Sequence, residues 1–342
     1  MNFFKRLFIV SALASISAHA YSAETKILKF ATLAPEGSSW MNEMAALNEE
    51  LIVKTGGSVK FKFYPGGIQG EDKDFIKKIR IGQLQAAGFT GVGLGEIAPD
   101  ARLLDAPWLF KTDKELDFVY QAFDKPLQSA IEKGGYVLLG WTEIGPVYVF
   151  TKKPLKAPED MRGEKMWVWE GDPIAQSAYA ALGVSPIPLS PIDVMSSLQT
   201  GLVDGFYSSP MAAVALQWFK RAKYIYPVPM ARSAGAVLIS KKAFDDLTAE
   251  QKKTLLEVSG RHLRKLTERS RAENEEALKS LQKQGLAVTD APAPDVVKHL
   301  DDLGKKARRD LAGKLYGAKL LDDVERGLED FRQLRASKAK KG

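Results

Sequence analysis

Strand and helix patterns alternate along residues 26–91, and this order restricts the fold more than any other feature of the chain. Strands show as alternating or apolar runs and helices as apolar residues at helical spacing. The order is strand 26–32, helix 40–51, strand 59–63, helix 72–81 and strand 85–91. Because strands that alternate with helices pair in parallel, the sequence predicts an α/β fold whose parallel sheet is covered by helices.

The first residues have the layout of a secretory signal peptide. A cationic start precedes an apolar run over residues 7–16 and a small-x-small exit at residues 18–20. We predict a signal peptide over residues 1–20, cleaved after Ala20, with cleavage after Ala23 as the alternative. An uncleaved anchor is disfavoured because the run is about half of the ~20 residues that span a bilayer. The mature chain is therefore expected to be soluble and exported.

Size, charge and cysteine content limit the remaining possibilities. Removing residues 1–20 from the 342 leaves 322, enough for two α/β lobes, and the chain has no cysteine, so its core must hold it together without disulfides. The net charge of +7 becomes +5 when Lys5 and Arg6 leave with the signal peptide. Much of the remaining positive charge lies in the basic tail 335–342 and on the predicted helices near the C-terminus. We interpret these as solvated surfaces and not as a nucleic-acid or membrane patch, because no aromatic residues interrupt the tail.

The middle of the chain has the pattern of a second lobe. Apolar strand runs at 135–141 and 147–151 are followed by the lysines and prolines of 152–158. After them the order is strand 165–169, helix 173–182, helix 192–199 and strand 205–207. The alternating segment 234–240 then predicts a strand that returns to the first lobe.

A long helix is predicted in the last third of the chain. Thr248 and Gln251 form a capping box, and helical composition continues to about residue 284, interrupted only by Gly260. At about 1.5 Å per residue, such a helix is near 50 Å long, which is long for a single lobe.

The sequence gives little support for catalysis or metal binding. After signal removal only His262 and His299 remain, without a second histidine at metal-ligand spacing, and no nucleophile elbow or phosphate loop is present. Glu143, Glu170 and Asp204 are expected near a cleft between the two lobes, but no reaction can be assigned to them. We predict a protein that is not an enzyme and has no cofactor and no metal.

Two motifs carry a resemblance to a known family. The sequence Asp160-Met-Arg-Gly-Glu-Lys165 and the segment 198–205, supported by 29–32, 67–72 and 218–225, resemble the solute-binding proteins of tripartite ATP-independent periplasmic (TRAP) transporters, the DctP-type family. The resemblance covers essentially the whole mature chain. It implies a periplasmic binding protein-like α/β fold with two lobes, a hinge, crossing strands and a long lobe-spanning helix.

The resemblance also implies a function and a division of the chain. A periplasmic receptor captures a small solute between its lobes by hinge closure and delivers it to the membrane permease subunits of a TRAP-type transporter, with no role for nucleic acid. The expected ranges are signal peptide 1–20, lobe I 21–144 plus 235–275, lobe II 145–234 plus 276–335, and basic tail 336–342.

The family's ligand positions hold unusual residues in this chain. The arginine that clamps the ligand's carboxylate in the family corresponds to Trp167, and a second arginine that follows a glycine corresponds to Pro146 or Val147. The family's asparagine corresponds to Ser208 or Ser209. The resemblance therefore implies a site from which the usual clamp arginines have been replaced.

Strand alternation gives the expected orientation of the tryptophans. Lys165, Trp167 and Trp169 share one face of their strand, so Trp167 is expected at the cleft with Trp169 and Glu170 beside it. The alternative is that both tryptophans fill the core of their lobe. The predicted ligand-contact residues are Leu33, Glu36, Phe89 and Thr90 in the first lobe and Val147, Tyr148, Trp167, Trp169, Glu170, Phe206, Tyr207, Ser208 and Ser209 in the second.

Aromatic rings in place of arginines change the expected ligand. A buried carboxylate needs a paired charge, whereas rings suit apolar or aromatic ligands, sugar faces or a cation. We expect a ligand other than a simple carboxylate, unless Arg80, Arg102 or Arg232 moves in. The alternatives are a periplasmic carrier of a lipid or hydrophobic compound that works without a TRAP permease, and a periplasmic enzyme or accessory factor that has only kept the fold.

Overall fold

The computed structural model describes residues 25–339, which form ten strands and twelve α-helices. The predicted signal peptide, residues 1–20, lies outside the described residues, as does the end of the basic tail. The strands are β1 Lys26–Ala31, β2 Val59–Tyr64, β3 Ala86–Thr90, β4 Tyr136–Thr151, β5 Trp167–Trp169, β6 Ile187–Leu189, β7 Gly205–Ser208, β8 Tyr224–Ile225, β9 Ala231–Ser240 and β10 Ala287–Val288. The helices are α1 Ser39–Lys54, α2 Asp72–Arg80, α3 Gly91–Ile97, α4 Asp113–Ala122, α5 Asp124–Lys133, α6 Pro173–Leu182, α7 Val194–Thr200, α8 Pro210–Ala215, α9 Lys241–Asp245, α10 Ala249–Lys283, α11 Pro294–Leu311 and α12 Ala318–Ala339.

Local sequence explains where these elements begin and end. The Ser38 hydroxyl caps α1 by accepting a hydrogen bond from the Met41 amide, and α6 ends at Gly183 in the left-handed conformation that glycine adopts at no steric cost. In β2 the alternate residues Val59 and Phe61 are buried. The alternation and capping patterns in the sequence thus correspond to real element boundaries.

The first lobe is built on a sheet with the strand order β2-β1-β3-β9-β4. Strand β1 pairs in parallel with both β2 and β3, as the alternating strand–helix order predicts, while β9 is antiparallel to β3 and β4. Helices cover both faces, and their apolar residues form two large buried clusters with the strands.

The second lobe has its own strands. The end of β4 pairs with β7 and β8, and β8 pairs with β10. Strand β5 pairs in parallel with β6, and a bridge from Met166 to Gly205 joins that pair to β7. Two further buried clusters form the core of this lobe.

Strands β4 and β9 connect the two lobes. Their pairing runs from Tyr136 opposite Ser240 to Val147 opposite Ala231, after which β4 continues into the second lobe's sheet. The sequence predicted two separate strands here, and the structure corrects this to one strand of 16 residues. The pairing has two register shifts, and the second, between Glu143 and Gly145, lies at the irregular Gly145-Pro146 step, beyond which pairing resumes.

Helix α10 is the predicted long helix. Its 35 residues begin with the capping box of Thr248 and Gln251 and give a length of about 52 Å at about 1.5 Å per residue. The helix contacts α1 and β4 at one end and α8 of the second lobe at the other. It therefore spans both lobes.

The C-terminal helix lies elsewhere than predicted. Apolar residues of α12, among them Leu321, Val324 and Leu328, belong to the buried cluster of the first lobe, and α12 contacts α4. The predicted range 276–335 placed this segment in the second lobe. The apolar stripe of α12 is buried by α4, which composition alone does not reveal; the other lobe boundaries stay predictions. Within residues 25–339, no helix is long and apolar enough to cross a membrane.

Candidate ligand-binding cleft

A cavity of about 300 Å³ lies between the two lobes. It sits beyond the carboxyl ends of β3, β5 and β6, the place where open α/β sheets usually bind ligands. Such a volume is at the lower end of the range for small-molecule sites. The lining residues are Glu71, Asp72, Lys73 and Val92 from the first lobe and Trp169, Glu170 and Ser190 from the second.

Asp72 is the most buried carboxylate of the lining. It is the first residue of α2, and its Oδ2 accepts hydrogen bonds from the Thr90 amide at 3.1 Å, the Gly93 amide at 3.0 Å and the Thr90 hydroxyl. These amides belong to the beginning of α3, where unpaired N–H groups favour an anion. The Asp72 carboxylate is thus the anion that accepts hydrogen bonds from these amides.

Arg102 lies at the junction of the lobes and is paired with two aspartates. The arginine belongs to the 3-10 helix Pro99–Asp105, and its guanidinium contacts Asp105 at 2.9 Å and Asp172 of the second lobe at 2.5 Å. All three residues are buried. The Asp105 carboxylate also accepts a hydrogen bond from the Ala234 amide, at 2.7 Å. The nearby acidic partners raise the pKa of Arg102 against the opposing effect of burial.

Asp172 connects this arginine to the wall of the cavity. Its Oδ1 caps α6 by accepting a hydrogen bond from the Ile174 amide, and its Oδ2 accepts one from the Tyr207 hydroxyl at 3.1 Å. The same hydroxyl accepts a hydrogen bond from the Trp169 amide. A second contact between the lobes joins the Ser190 hydroxyl to Glu71. The lobes are therefore in contact at two places, through Arg102 and Asp172 and through Glu71 and Ser190.

Burial changes the titration of two aspartates at the cleft. Loss of hydration raises the pKa of Asp72 to about 6, although hydrogen bonds from Thr90 and Gly93 oppose the shift, and the neighbouring Glu71 adds to it. Burial likewise raises the pKa of Asp105 to about 6, with Arg102 as the main opposing influence.

A pH prediction follows from the Asp72 shift. Because the folded pKa lies above the unfolded value, the folded state binds more protons, so this group's contribution to stability falls as pH rises from about 4 to about 6. We expect the free energy of unfolding of the wild type, relative to Asp72→Asn, to fall by about 2 kcal/mol between pH 4.5 and pH 7.5. Chemical denaturation at pH 4.5, 5.5, 6.5 and 7.5 measures it; a constant difference would contradict the shift.

The two tryptophans of β5 lie at different depths. Trp167 is 3% exposed, its indole N–H donates to the Leu189 carbonyl at 3.0 Å, and its ring stacks on Tyr207 with centroids 5.0 Å apart. Trp169 is only partly buried and lines the cavity. The structure therefore places Trp169 and Glu170 at the cavity and Trp167 behind them, among the second lobe's apolar residues.

The other predicted contact residues are spread around the cleft. In the first lobe the Thr90 hydroxyl donates a hydrogen bond to Asp72, and Leu33 is half-buried beside Gly67. Glu36 is exposed, and Phe89 is buried in the core.

In the second lobe Tyr207 holds Asp172, Ser209 caps α8, and Phe206 stacks on Phe150 inside the core. Val147 and Ser208 are buried, and Tyr148 is half-buried. The structure does not bring Phe89 or Phe206 to the cavity, and a ligand contact by any of these residues stays a prediction.

Most of the residues that line the cavity are not among the predicted ligand-contact residues, which include only Trp169 and Glu170 of the lining. Asp72 and Asp172 each stand where a helix begins, and Asp172 directly precedes Pro173, which is a recognised helix-start pattern. That pattern could have identified Asp172 as a cap. It could not have shown that Arg102, 70 residues away, is its partner.

His262, His299, Glu143 and Asp204 each contact another ionisable side chain, whereas Glu170 lines the cavity. His262 contacts Glu43 at 2.7 Å and Glu50 at 3.0 Å between α10 and α1, and His299 contacts Glu159. Glu143 is paired with Arg271, and Asp204 with Lys152. Among residues 25–339, no group of histidines and carboxylates is arranged to hold a metal ion.

Comparison with known proteins gives consistent matches. The model of the bacterial extracellular solute-binding proteins, family 7 (DctP), matches residues 30–307. The C4-dicarboxylate-binding periplasmic protein DctP of Rhodobacter capsulatus is 27% identical over 267 residues, which are 77% of this chain and 79% of that protein.

Solved structures share the fold. DctP7 of Bordetella pertussis, an extracytoplasmic solute receptor binding pyroglutamic acid, has a TM-score of 0.80 at 22% identity and covers 88% of this chain and 100% of its own. A TRAP periplasmic solute-binding protein of Ochrobactrum anthropi has a TM-score of 0.83 at 24% identity, with 93% of this chain and 99% of its own covered. The predicted α/β periplasmic binding protein fold with a long helix is confirmed.

Proposed function

Because the chain belongs to family 7 of the bacterial extracellular solute-binding proteins, the DctP family, we propose that it captures a small solute between its lobes and delivers it to a TRAP-type secondary transporter. The family consists of solute-binding proteins, so the chain is a receptor and not an enzyme. The observation that supports capture is the cavity itself, since both lobes line it and a change in their angle would open or close it.

The periplasm is the proposed site of action. The signal-peptide pattern of residues 1–20 and a periplasmic relative, the 2,3-diketo-L-gulonate-binding protein of Escherichia coli, support this localisation. Export can be tested by fractionating cells that make the full chain. The receptor is expected in the periplasmic fraction with its mass reduced by removal of residues 1–20; an uncleaved protein in the membrane fraction would contradict the proposal.

The proposed ligand is not a simple carboxylate held by an arginine clamp. Trp167 stands where the family resemblance implies the clamp, and its indole N–H is already bonded to Leu189. Arg102, an arginine close to the cavity, is paired with two aspartates. A ligand carboxylate would have to displace an aspartate from Arg102, which would leave a buried charge unpaired and cost several kcal/mol.

Thermal shifts against a solute library test this function. The library has two groups of compounds. The first group contains carboxylates, and the second contains charge-free or cationic aromatic and apolar compounds. Each compound is added to the mature protein. A ligand at a hundred times its Kd stabilises the folded state by about 2.7 kcal/mol, which should raise the Tm by several degrees. We expect shifts with the second group only. Shifts with carboxylates alone would show that another cation serves as the clamp.

Trp169 is expected to contribute directly to binding. Its ring lines the cavity, whereas its backbone amide makes the bond to Tyr207, so a side-chain substitution leaves that bond in place. Trp169→Ala should weaken binding by at least about 1 kcal/mol, or about fivefold in Kd, while Trp169→Phe should keep most of the affinity. Titration calorimetry with a compound found in the library measures both. Equal affinity for the alanine variant and the wild type would remove Trp169 from the site.

Delivery to a permease is tested separately from binding. TRAP-type receptors act with a small and a large membrane subunit, so uptake of the bound solute by vesicles should require both the permease subunits and this receptor. Binding without any receptor-dependent uptake would favour the alternative, a periplasmic carrier that works without a TRAP permease.

A further inference from the structure

We propose that the cavity takes a solute bearing a positively charged nitrogen, such as an ammonium or a guanidinium group, with Asp72 Oδ1 as its main partner. This inference rests on the proposed function and adds the chemical class of the solute.

The chain's own aspartates already use several of the donors that could otherwise receive an anion. The amides of Thr90 and Gly93, at the beginning of α3, donate to Asp72 Oδ2. At the beginning of α6 the Ile174 amide donates to Asp172, which also holds Arg102. Helix N-termini and arginine are the groups that usually receive an anion. Because these donors are already used, they are not available to the carboxylate of a solute.

Asp72 has an acceptor that is not used. Its Oδ2 accepts three hydrogen bonds, whereas Oδ1 is buried without a partner in the part of the chain that the structure describes. The residue is 1% exposed and lines the cavity. A buried carboxylate oxygen without a partner is unfavourable, and a hydrogen-bond donor or a cation in the cavity would relieve this. The free oxygen therefore indicates a solute that supplies positive charge.

Most of the charged residues around the cavity have the same sign as Asp72. Three of the lining residues are carboxylates, Glu71, Asp72 and Glu170, and the single lysine, Lys73, pairs with Glu96 at 3.3 Å. The negative potential of such a cleft attracts a cationic solute and repels an anionic one.

The aromatic wall suits the same ligand. Trp169 lines the cavity beside Glu170 and opposite Asp72, on the other lobe. Tryptophan is the best side chain for holding a cation over its ring. A cation between Trp169 and Asp72 would contact both lobes and so favour the closed arrangement.

Matched probes test the inference. Benzylamine is compared with benzyl alcohol and benzoate, and choline with its uncharged isostere 3,3-dimethylbutan-1-ol, so that only the charge changes within each set. Titration calorimetry at pH 7.5 gives the affinities for the wild type and three variants. Asp72→Asn keeps the shape and removes the charge, Glu170→Gln changes an exposed residue of the lining, and Asp310→Asn is the control, an exposed aspartate of α11 outside the lining.

The inference predicts at least about tenfold tighter binding of the cations than of their neutral isosteres, which corresponds to about 1.4 kcal/mol. Asp72→Asn should lose about tenfold in cation affinity and Glu170→Gln about threefold, with Asp310→Asn unchanged. Equal binding of neutral isosteres, unchanged cation affinity in Asp72→Asn, or no cation binding would overturn it. If benzoate or other carboxylates bind instead, the cation inference fails and the receptor function stands; if no solute of any class shifts the Tm, both fail.

Discussion

Replacing Arg102 with methionine is expected to lower the free energy of unfolding by about 3–5 kcal/mol at pH 7.5. Arg102 is the cation that faces two buried carboxylates, Asp105 at 2.9 Å and Asp172 at 2.5 Å. Methionine keeps much of the side chain's volume but leaves both carboxylates without their cation, and breaking a buried ion pair on one side has a cost of this size. Denaturant unfolding followed by circular dichroism measures it.

The pH dependence of this loss identifies its cause. Arg102 opposes the burial that raises the pKa of Asp105, so its removal raises that pKa further. A carboxyl with a raised folded pKa destabilises the folded state more as pH rises through that value, and the deficit of Arg102→Met should therefore be smaller at pH 5.5 than at pH 7.5.

Arg80→Met is the matched control for this experiment. Arg80 is exposed at the end of α2, and its replacement should change stability by less than about 0.5 kcal/mol. A loss below about 1 kcal/mol for Arg102→Met, or one that does not change with pH, would mean that the ion pair between the lobes contributes little.

The second large effect is expected at Gly145, on the strand that connects the lobes. Gly145 has φ +112°, and a Cβ built there would lie 2.3 Å from Nδ2 of Asn274. That Nδ2 donates to the Ile144 carbonyl at 3.0 Å, and Oδ1 of the same side chain accepts from the Met211 amide at 3.1 Å. Asn274 thereby fixes α10 to both β4 and α8.

Gly145→Ala should therefore destabilise the protein by about 3 kcal/mol or more. An alanine at this φ is strained, and its methyl group must displace a buried side chain that makes several hydrogen bonds. Gly135→Ala is the control, because Gly135 has φ +87° with no atom within 4 Å of its Cβ position. The Gly135→Ala variant has the backbone strain without the clash, and its free energy of unfolding should fall by about 1 kcal/mol. Equal losses would show that Asn274 moves aside freely.

Gly145→Ala is also expected to change ligand binding, since the substitution lies where β4 passes from one lobe to the other. A shift in the angle between the lobes would alter the cavity without touching its lining. The affinity for a library compound, measured at a temperature at which both variants are folded, separates this effect from the loss of stability.

Much of the fold could be predicted from local sequence. The capping box of Thr248 and Gln251 begins the long helix, and the predicted helix 173–182 matches α6. The irregular step at Gly145 and Pro146 broke the strand pattern, and only the pairing with β9 shows that one strand continues through it. Alternation correctly separated Trp167 and Trp169 from Val168, since the two faces of β5 pack into different clusters. It could not give the depth of each tryptophan, because depth depends on Tyr207 and Trp218, which reach Trp167 from distant segments.

By itself the sequence determined the α/β class, the two lobes, the long helix and the resemblance to a receptor family, because these depend on periodicity and short motifs within continuous segments. Only the tertiary structure decided the chemistry of the cleft. Asp72, Asp172 and the local pair of Arg102 with Asp105 come from three separate elements, and Arg102 meets Asp172 only where the two lobes come together. The sequence shows that Arg102 is positively charged but not that two buried aspartates neutralise it. The charge that is available to a ligand therefore depends on the folded structure.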